Sequence, residues 1–193
     1  MSKSDLKPAP EPNASPSGPA RLTPLFTAAE IEARIEKLAE AIAVRGLVAE
    51  PLVLIGVLRG AVPFVADLAR ALHRRGIPLI IDYVSAESYK GTLSSGEVAL
   101  GSAPATSLVG RDVLIVDDIL DTGLTLAAVL DSLERSSLAR IGSCVLLDKK
   151  ASRLNGFEAD FVAFDCPEVF VVGYGMDLDG RYRELPFIGT LSD

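Results

Sequence analysis

The sequence predicts an α/β fold, a parallel β-sheet flanked by helices. Three observations carry that prediction. Continuous apolar runs of strand length recur along the chain. Segments with helical spacing of apolar residues lie between them, the pattern of buried strands covered on both faces. Pro63 in a first helical turn, and Gly46 and Gly76 just past last turns, mark where helices start and stop.

Taken in order, residues 1–23 (MSKSDLKPAPEPNASPSGPARLT) are rich in Pro, Ser and Ala without an apolar period, so a disordered or loosely attached tail is expected there. The remainder, 24–193, suits a single domain at a total of 193 residues. Order is expected to begin near Phe26. Thr27-Ala28-Ala29-Glu30 is a capping box, Phe26 and Ile31 can form a hydrophobic staple, and Ile31, Ile35, Leu38 and Ile42 mark one helical face. PLVLIGV (51–57) reads as a strand, 61–76 as a helix, and PLIIDYVS (78–85) as a second strand. From Ser85 to Gly110 the pattern breaks into a Ser- and Gly-rich stretch, a loop long enough to be functional or mobile. RDVLIVD (111–117), helix 124–135, RIGSCVLLD (140–148) and DFVAF (160–164) complete the alternation. From Val169 the chain reads as short strands and turns, and there is no internal repeat.

Composition narrows the function classes. Hydrophobic residues at 49% supply a substantial core, and charged residues at 23% argue against global disorder. The net charge of -7 disfavours a general nucleic-acid or anionic-membrane binder, although it leaves room for a small basic pocket. No apolar run approaches the roughly 18 residues of a membrane span, and the N-terminus lacks a secretory signal's apolar core. Cys144 and Cys166 both lie in apolar stretches and read as reduced, buried thiols. A cytoplasmic protein is expected. His73 is the only histidine, placed at a helix C-terminus before Arg74 and Arg75, and reads as a dipole-favoured surface residue rather than a catalyst.

The chemistry concentrates in VLIVDDILDTGLT, Val113 to Thr125. Asp117, Asp118 and Asp121 fall within five positions, where like charges raise one another's proton affinity. The stretch closes a strand and opens a helix, and ligands of open α/β sheets bind beyond the carboxyl ends of strands. Thr122-Gly123-Leu124-Thr125 offers successive backbone N–H groups, a glycine and two hydroxyls, the parts of an anion nest at the positive end of a helix. The carboxylates would repel a phosphate, so they suit hydroxyls or a bridging Mg²⁺. The plainer alternative is a polar helix cap with Asp121 or Thr122 at the N-cap. Neither G-x-x-x-x-G-K-[ST] nor G-x-G-x-x-G after a strand occurs.

Four hydrophobics, two acids and D-T-G-x-T resemble the phosphoribosyl-diphosphate (PRPP) signature of type I phosphoribosyltransferases. The resemblance extends from about Phe26 to the C-terminus and is strongest to the hypoxanthine-guanine phosphoribosyltransferases. It implies that fold, with a small hood built from terminal segments. It also implies that Asp117 and Asp118 hold the ribose hydroxyls and that Asp121, Thr122, Gly123, Leu124 and Thr125 wrap the 5′-phosphate. Leu58-Arg59-Gly60 resembles the pyrophosphate loop of that group, whose members often carry Lys where Arg59 stands. Ser88-Tyr89, followed by Ser95-Gly96, resembles the mobile loop that closes over the reaction. Lys149, in LLDKKASR, resembles the lysine that contacts the purine 6-oxo group, whereas Lys150 and Arg153 read as surface or packing charges. FVVGYGMD (170–177) is similar to the purine-binding segment, with Phe170 stacking on the base and Val171 and Asp177 meeting its edge. Arg183 maps to an arginine that binds pyrophosphate. The implied metal is Mg²⁺, with Asp117 and Asp118 as candidate carboxylates and Asp177 as one that could join a second Mg²⁺ site.

The reaction so implied is transfer of ribose 5-phosphate from PRPP to N9 of a 6-oxopurine, giving IMP or GMP and pyrophosphate in purine salvage. Asp121 is the expected general base at purine N7. Adenine phosphoribosyltransferases generally carry Ala there and pyrimidine-operon regulators Tyr, so Asp121 favours a 6-oxopurine. Two rivals stay open, an RNA-binding regulator on the same fold and an enzyme for xanthine or another base. The resemblance further implies a homodimer or homotetramer, with no membrane partner and no general affinity for nucleic acid.

Overall fold

The computed structural model describes residues 21–46, 51–88, 98–101, 104–134 and 136–192. Its elements in chain order are β1 (Arg21–Phe26), α1 (Ala28–Arg45), β2 (Leu52–Leu58), α2 (Val62–Arg74), β3 (Leu79–Ser88), β4 (Val98–Leu100), β5 (Asp112–Leu120), α3 (Leu124–Glu134), β6 (Arg140–Asp148), β7 (Phe161–Asp165), β8 (Val171–Val172) and β9 (Ile188–Ser192).

Six strands form the central sheet in the order β4-β3-β2-β5-β6-β7. All neighbours in it pair in parallel except β3 and β4, which run antiparallel. Alternation along each central strand assigns side chains to two cores. Leu52, Leu54, Leu114, Val116 and Leu146 face α1 and α2, together with Phe64, Leu68, Ile35 and Ile42. Val53, Ile55, Val113, Ile115 and Val145 face the other side with Leu126, Val129 and Leu133 of α3. Strands buried on both faces read as unbroken apolar runs, which is why they are plain in the sequence.

α1 starts where expected. Thr27 Oγ1 accepts from the Glu30 amide (3.3 Å), and the Glu30 carboxylate accepts from the Thr27 amide (2.8 Å). Gly46 ends the helix at φ 72°. The Phe26 ring stacks on Phe164 with centroids 4.2 Å apart, tying the N-terminal segment to β7.

A second sheet, β1-β9-β8, is antiparallel and joins both ends of the chain into the hood. Two expectations shift here. Strand β1 includes Arg21, Leu22 and Thr23, before the boundary drawn after Thr23, because they pair with Ser192, Leu191 and Thr190. That pairing joins opposite ends of the chain, and Pro24 interrupts the local pattern beside a register irregularity. Likewise β3 runs to Ser88 rather than Ser85. Ala86 pairs with Leu100, and the Gly101 amide donates to the Ser85 carbonyl (2.9 Å), so an antiparallel partner extends a strand whose own residues are small and polar.

Two contacts set the hood on the sheet. The Tyr174 hydroxyl donates to Asp67 on α2 (2.6 Å). Tyr174 and Gly175 form a two-residue turn at φ 47° and 101°, and a Cβ on Gly175 would lie 2.0 Å from the Gly60 carbonyl oxygen. Gly175→Ala is therefore expected to destabilise by about 1–3 kcal/mol. Gly180→Ala shares the left-handed φ (78°) with open space around it, so the excess loss of Gly175→Ala over it in thermal unfolding measures the contact.

Asp82 on β3 supports a second test. Its carboxylate accepts from the Thr106 amide (2.8 Å) and the Tyr83 amide (2.8 Å). Those bonds, Thr106's first, hold its pKa below the usual carboxylate value. The stabilisation is thus present above the unfolded pKa and lost as pH falls through the lower folded one. Asp82→Asn is expected to melt lower than the unaltered chain at pH 7, with the gap closing on acidification below pH 4.

Candidate active site

The carboxyl ends of β2 and β5 open into a cavity of about 890 Å³ beneath the hood. Its lining includes Leu58, Arg59 and Gly60 after β2, Asp117, Asp118 and Ile119 on β5, Thr125 on α3, and Asp177 and Arg183 from the hood. Residues far apart in the chain thus meet around one space, as the loop chemistry at a strand end requires. Val57, Ser85 and Ala86 line it as well. Sequence reasoning passed over Ser85 and Ala86 because they lie at the edge of the Ser- and Gly-rich stretch, where small residues carry no period.

Asp117 is 5% exposed, and its carboxylate accepts from the Asp118 amide (2.9 Å). Burial first, and then the neighbouring Asp118 charge, push the Asp117 carboxyl well above the ordinary range. Asp118 turns back to accept from the Ile119 amide (3.0 Å). Its other oxygen packs where Gly60 has no side chain, since a Cβ there would lie 1.7 Å away. The peptide between Leu58 and Arg59 is cis. Among the described residues no ion pair engages Arg59, Asp117 or Asp118, so one cation and two carboxylates are free for a ligand.

Arg183 and Asp177 are paired with each other (2.6 Å). Asp177 also accepts from the Gly180 amide (2.7 Å), and Arg183 donates to the Gly175 carbonyl. Asp177 is thus engaged by its own arginine and turn, apart from the acidic pair on β5. No group of three acidic, His or Cys side chains close enough to hold a metal occurs among the described residues. Asp117 and Asp118 remain as two hard oxygen donors, which fits Mg²⁺, an ion that takes one or two carboxylates and completes its shell with water and substrate phosphates.

Beside this cavity, β5 passes into α3 through Asp121, Thr122 and Gly123. Asp121 is exposed, the Thr122 hydroxyl accepts from the Leu124 amide (3.4 Å), and Gly123 sits at φ 85°. The Gly123 carbonyl accepts from Ala127 and so opens the helix. Lys149 follows β6 alongside, and its amide donates to the Leu120 carbonyl (2.9 Å). Its ammonium donates to the Val169 carbonyl (2.8 Å), next to Phe170, which is 57% exposed with its ring free to stack. Val171 is buried in β8. Lys149, Phe170 and Val171 therefore form a neighbouring group outside the lining of the main cavity. Ser88 ends β3, and Tyr89, Ser95 and Gly96 lie outside the described residues.

Of the two readings open for Arg153, a surface or a packing charge, the structure shows the packing one. Its side chain is only 10% exposed and pairs with buried Asp148. It also donates to the carbonyls of Phe157, Asp121 (2.9 Å) and Leu120 (3.3 Å). A short 3₁₀ turn over Lys150–Ser152 folds it back under the strand ends. Within a run of charges nothing singles it out, but an aspartate closing the apolar strand RIGSCVLLD needs a cation, and that signal was present.

Comparison with known proteins agrees with this geometry. The family described as "Phosphoribosyl transferase domain" matches residues 24–179. The hypoxanthine-guanine phosphoribosyltransferase of Mycobacterium avium is 42% identical over 189 residues, 92% of this chain and 92% of that protein. The Bacillus subtilis protein of the same name is 45% identical over 138 residues, 71% of this chain and 75% of that one. The structure of Trypanosoma cruzi hypoxanthine phosphoribosyltransferase superposes with a TM-score of 0.83 at 41% identity, covering 88% of this chain and 91% of that chain. Fold, cavity and relatives agree, and the chain belongs to the phosphoribosyltransferase family, in its hypoxanthine-guanine branch.

Proposed function

We propose that this chain transfers ribose 5-phosphate from PRPP to N9 of hypoxanthine or guanine, releasing pyrophosphate and forming IMP or GMP in purine salvage. The observation that carries the reading is one cavity lined by a free acidic pair, a free arginine and a helix-opening threonine. A sugar diphosphate presents the hydroxyls and anions that those groups match.

In the proposed reaction Asp117 and Asp118 accept hydrogen bonds from the ribose 2′- and 3′-hydroxyls and orient the ring. The loop Asp121–Thr125 wraps the 5′-phosphate with backbone N–H groups and hydroxyls. Arg59, the Gly60 amide and Arg183 hold the diphosphate and stabilise the charge it gains as its bond to the sugar lengthens. Asp117 and Asp118 are also the residues that would hold Mg²⁺, which supplies further charge neutralisation to the leaving group. Phe170 stacks on the base, and Lys149 donates to its 6-oxo oxygen. A donor there selects against the amino group of adenine, where two donors would face each other unpaired. Asp121 takes the proton from purine N7.

Two free buried thiols among the described residues support work in the reducing cytoplasm. No described helix is long and apolar enough to cross a membrane. A homodimer or homotetramer is our reading of its assembly, supported by the Trypanosoma cruzi relative, for which the C-terminal region has a role in oligomeric state and enzymatic activity.

The direct test follows nucleotide formation from PRPP and Mg²⁺ with hypoxanthine, guanine, xanthine, adenine and uracil in parallel. Turnover is expected with hypoxanthine or guanine and not with adenine or uracil. No turnover with any 6-oxopurine would overturn the reading, and a preference for xanthine would change the base. Asp121→Asn separates binding from proton transfer. Its kcat is expected to fall by about 10²-fold or more while KM for PRPP stays within a few-fold, and near-normal turnover would remove Asp121 from the role.

A further inference from the structure

The loop proposed to take the 5′-phosphate is strapped from behind by residues that the reaction does not use. Arg153 Nε donates to the Asp121 carbonyl (2.9 Å). The Leu154 amide donates to the Thr122 carbonyl (3.0 Å). Asn155 Nδ2 donates to the Gly123 carbonyl (3.1 Å). Three consecutive donors thus engage three consecutive acceptors. We propose that Arg153, Leu154 and Asn155 are positioning residues that turn the carbonyls of this loop away from the ligand, so that its amides face the 5′-phosphate. The inference rests on the phosphoribosyltransferase reading above.

Peptide geometry supplies the reason. In a trans peptide the C=O of one residue and the N–H of the next lie in one plane and point in opposite directions. Holding the carbonyls of Asp121, Thr122 and Gly123 on the strap side therefore directs the amides of Thr122, Gly123 and Leu124 to the other side. The Thr122 and Gly123 amides have no partner among the described residues. Without the strap, a rotated peptide would point carbonyl oxygen at a phosphate dianion.

The strap is itself fixed. Arg153 is anchored by Asp148 and by the Phe157 carbonyl. Asn155 presents its amide nitrogen in one orientation, because its Oδ1 accepts from the Phe157 amide (3.1 Å). Contact is close enough that a Cβ on Gly123 would lie 2.3 Å from Asn155 Oδ1 and 3.0 Å from Arg153 Cδ. None of the three residues lines the main cavity.

Asn155→Ala removes one strap donor without adding charge near the phosphate. Arg153→Lys keeps a cation beside Asp148 while removing the Nε donor to Asp121, and it serves as the second variant. For each, KM for PRPP is expected to rise roughly fivefold or more, with KM for the base and the Kd of free pyrophosphate within about twofold of the unaltered chain. A residue that merely supported the fold would weaken all three together. PRPP KM within twofold in both folded variants, a parallel loss across all three ligands, or failure of both variants to fold overturns the strap. Absence of PRPP-dependent transfer by the unaltered chain overturns the functional reading and the strap with it. Normal transfer by that chain, with PRPP KM unmoved in the variants, overturns the strap alone.

Discussion

The cavity is organised around the absence of one side chain. Gly60 has the Asp118 carboxylate where its Cβ would stand, and its carbonyl lies where the Cβ of Gly175 would stand. Three segments meet there, the turn after β2, the end of β5 and the hood. Any side chain at Gly60 would displace the carboxylate, and any at Gly175 would lift the hood from the turn. The hood also carries Arg183 and Asp177, so the same close approach sets the distance between the acidic pair on the sheet and the arginine opposite. A cavity assembled from non-contiguous segments needs such a fixed spacing, because packed interiors transmit displacement rather than absorb it.

Burial gives the acidic pair its character. Asp117 stands at the end of a strand buried on both faces, and no cation engages it among the described residues. Elsewhere the chain resolves the same problem by pairing. Asp112, fully buried at the other end of β5, meets Arg140, and Asp148 at the end of β6 meets Arg153. One strand therefore carries a neutralised acid at its start and an acid held well above its usual pKa at its end. The contrast supports the proposed reading, in which this acid meets something that arrives from solution. Sugar hydroxyls and a hydrated cation are suited to that role because both relieve a buried carboxylate that no cation pairs.

What could be read from residues alone follows the range of the interactions. Strands buried on both faces and helices with caps declare themselves within a dozen residues, and β2, β5, β6, α1 and α2 stand within about three residues of their expected bounds. The run from Asp117 to Thr125 is equally local, since a strand end, a turn and a helix start lie side by side in sequence. Pairings that span the chain were hidden. Arg21 has its partner at Ser192, and the β4 segment lies on β3 through backbone bonds that need no apolar pattern. Arg153 was hidden for the same reason, because its importance comes from carbonyls some thirty positions away rather than from its charged neighbours. The pairing of Asp177 with Arg183 was hidden as well, because sequence displays the two charges but not the turn that brings them together.

An acidic chain and a highly anionic sugar diphosphate are an unlikely pair if net charge decides recognition. With a formal charge of -7, long-range steering opposes approach, and the opposition weakens beyond the roughly 8–10 Å over which salt screens. Affinity must then come from groups that act at contact distance. Among the described residues the cavity lining carries two cations, Arg59 and Arg183, and Arg183 is shared with Asp177. On the proposed reading, backbone amides make up the difference. They carry no net charge, they cannot be neutralised by neighbouring carboxylates, and when oriented they act on an anion only at hydrogen-bond range. Such a site tolerates three aspartates within five residues, provided that its peptide planes are held in one direction. On that reading, orientation of the loop, more than the sign of the charges around it, is what lets phosphate and carboxylates occupy the same strand end.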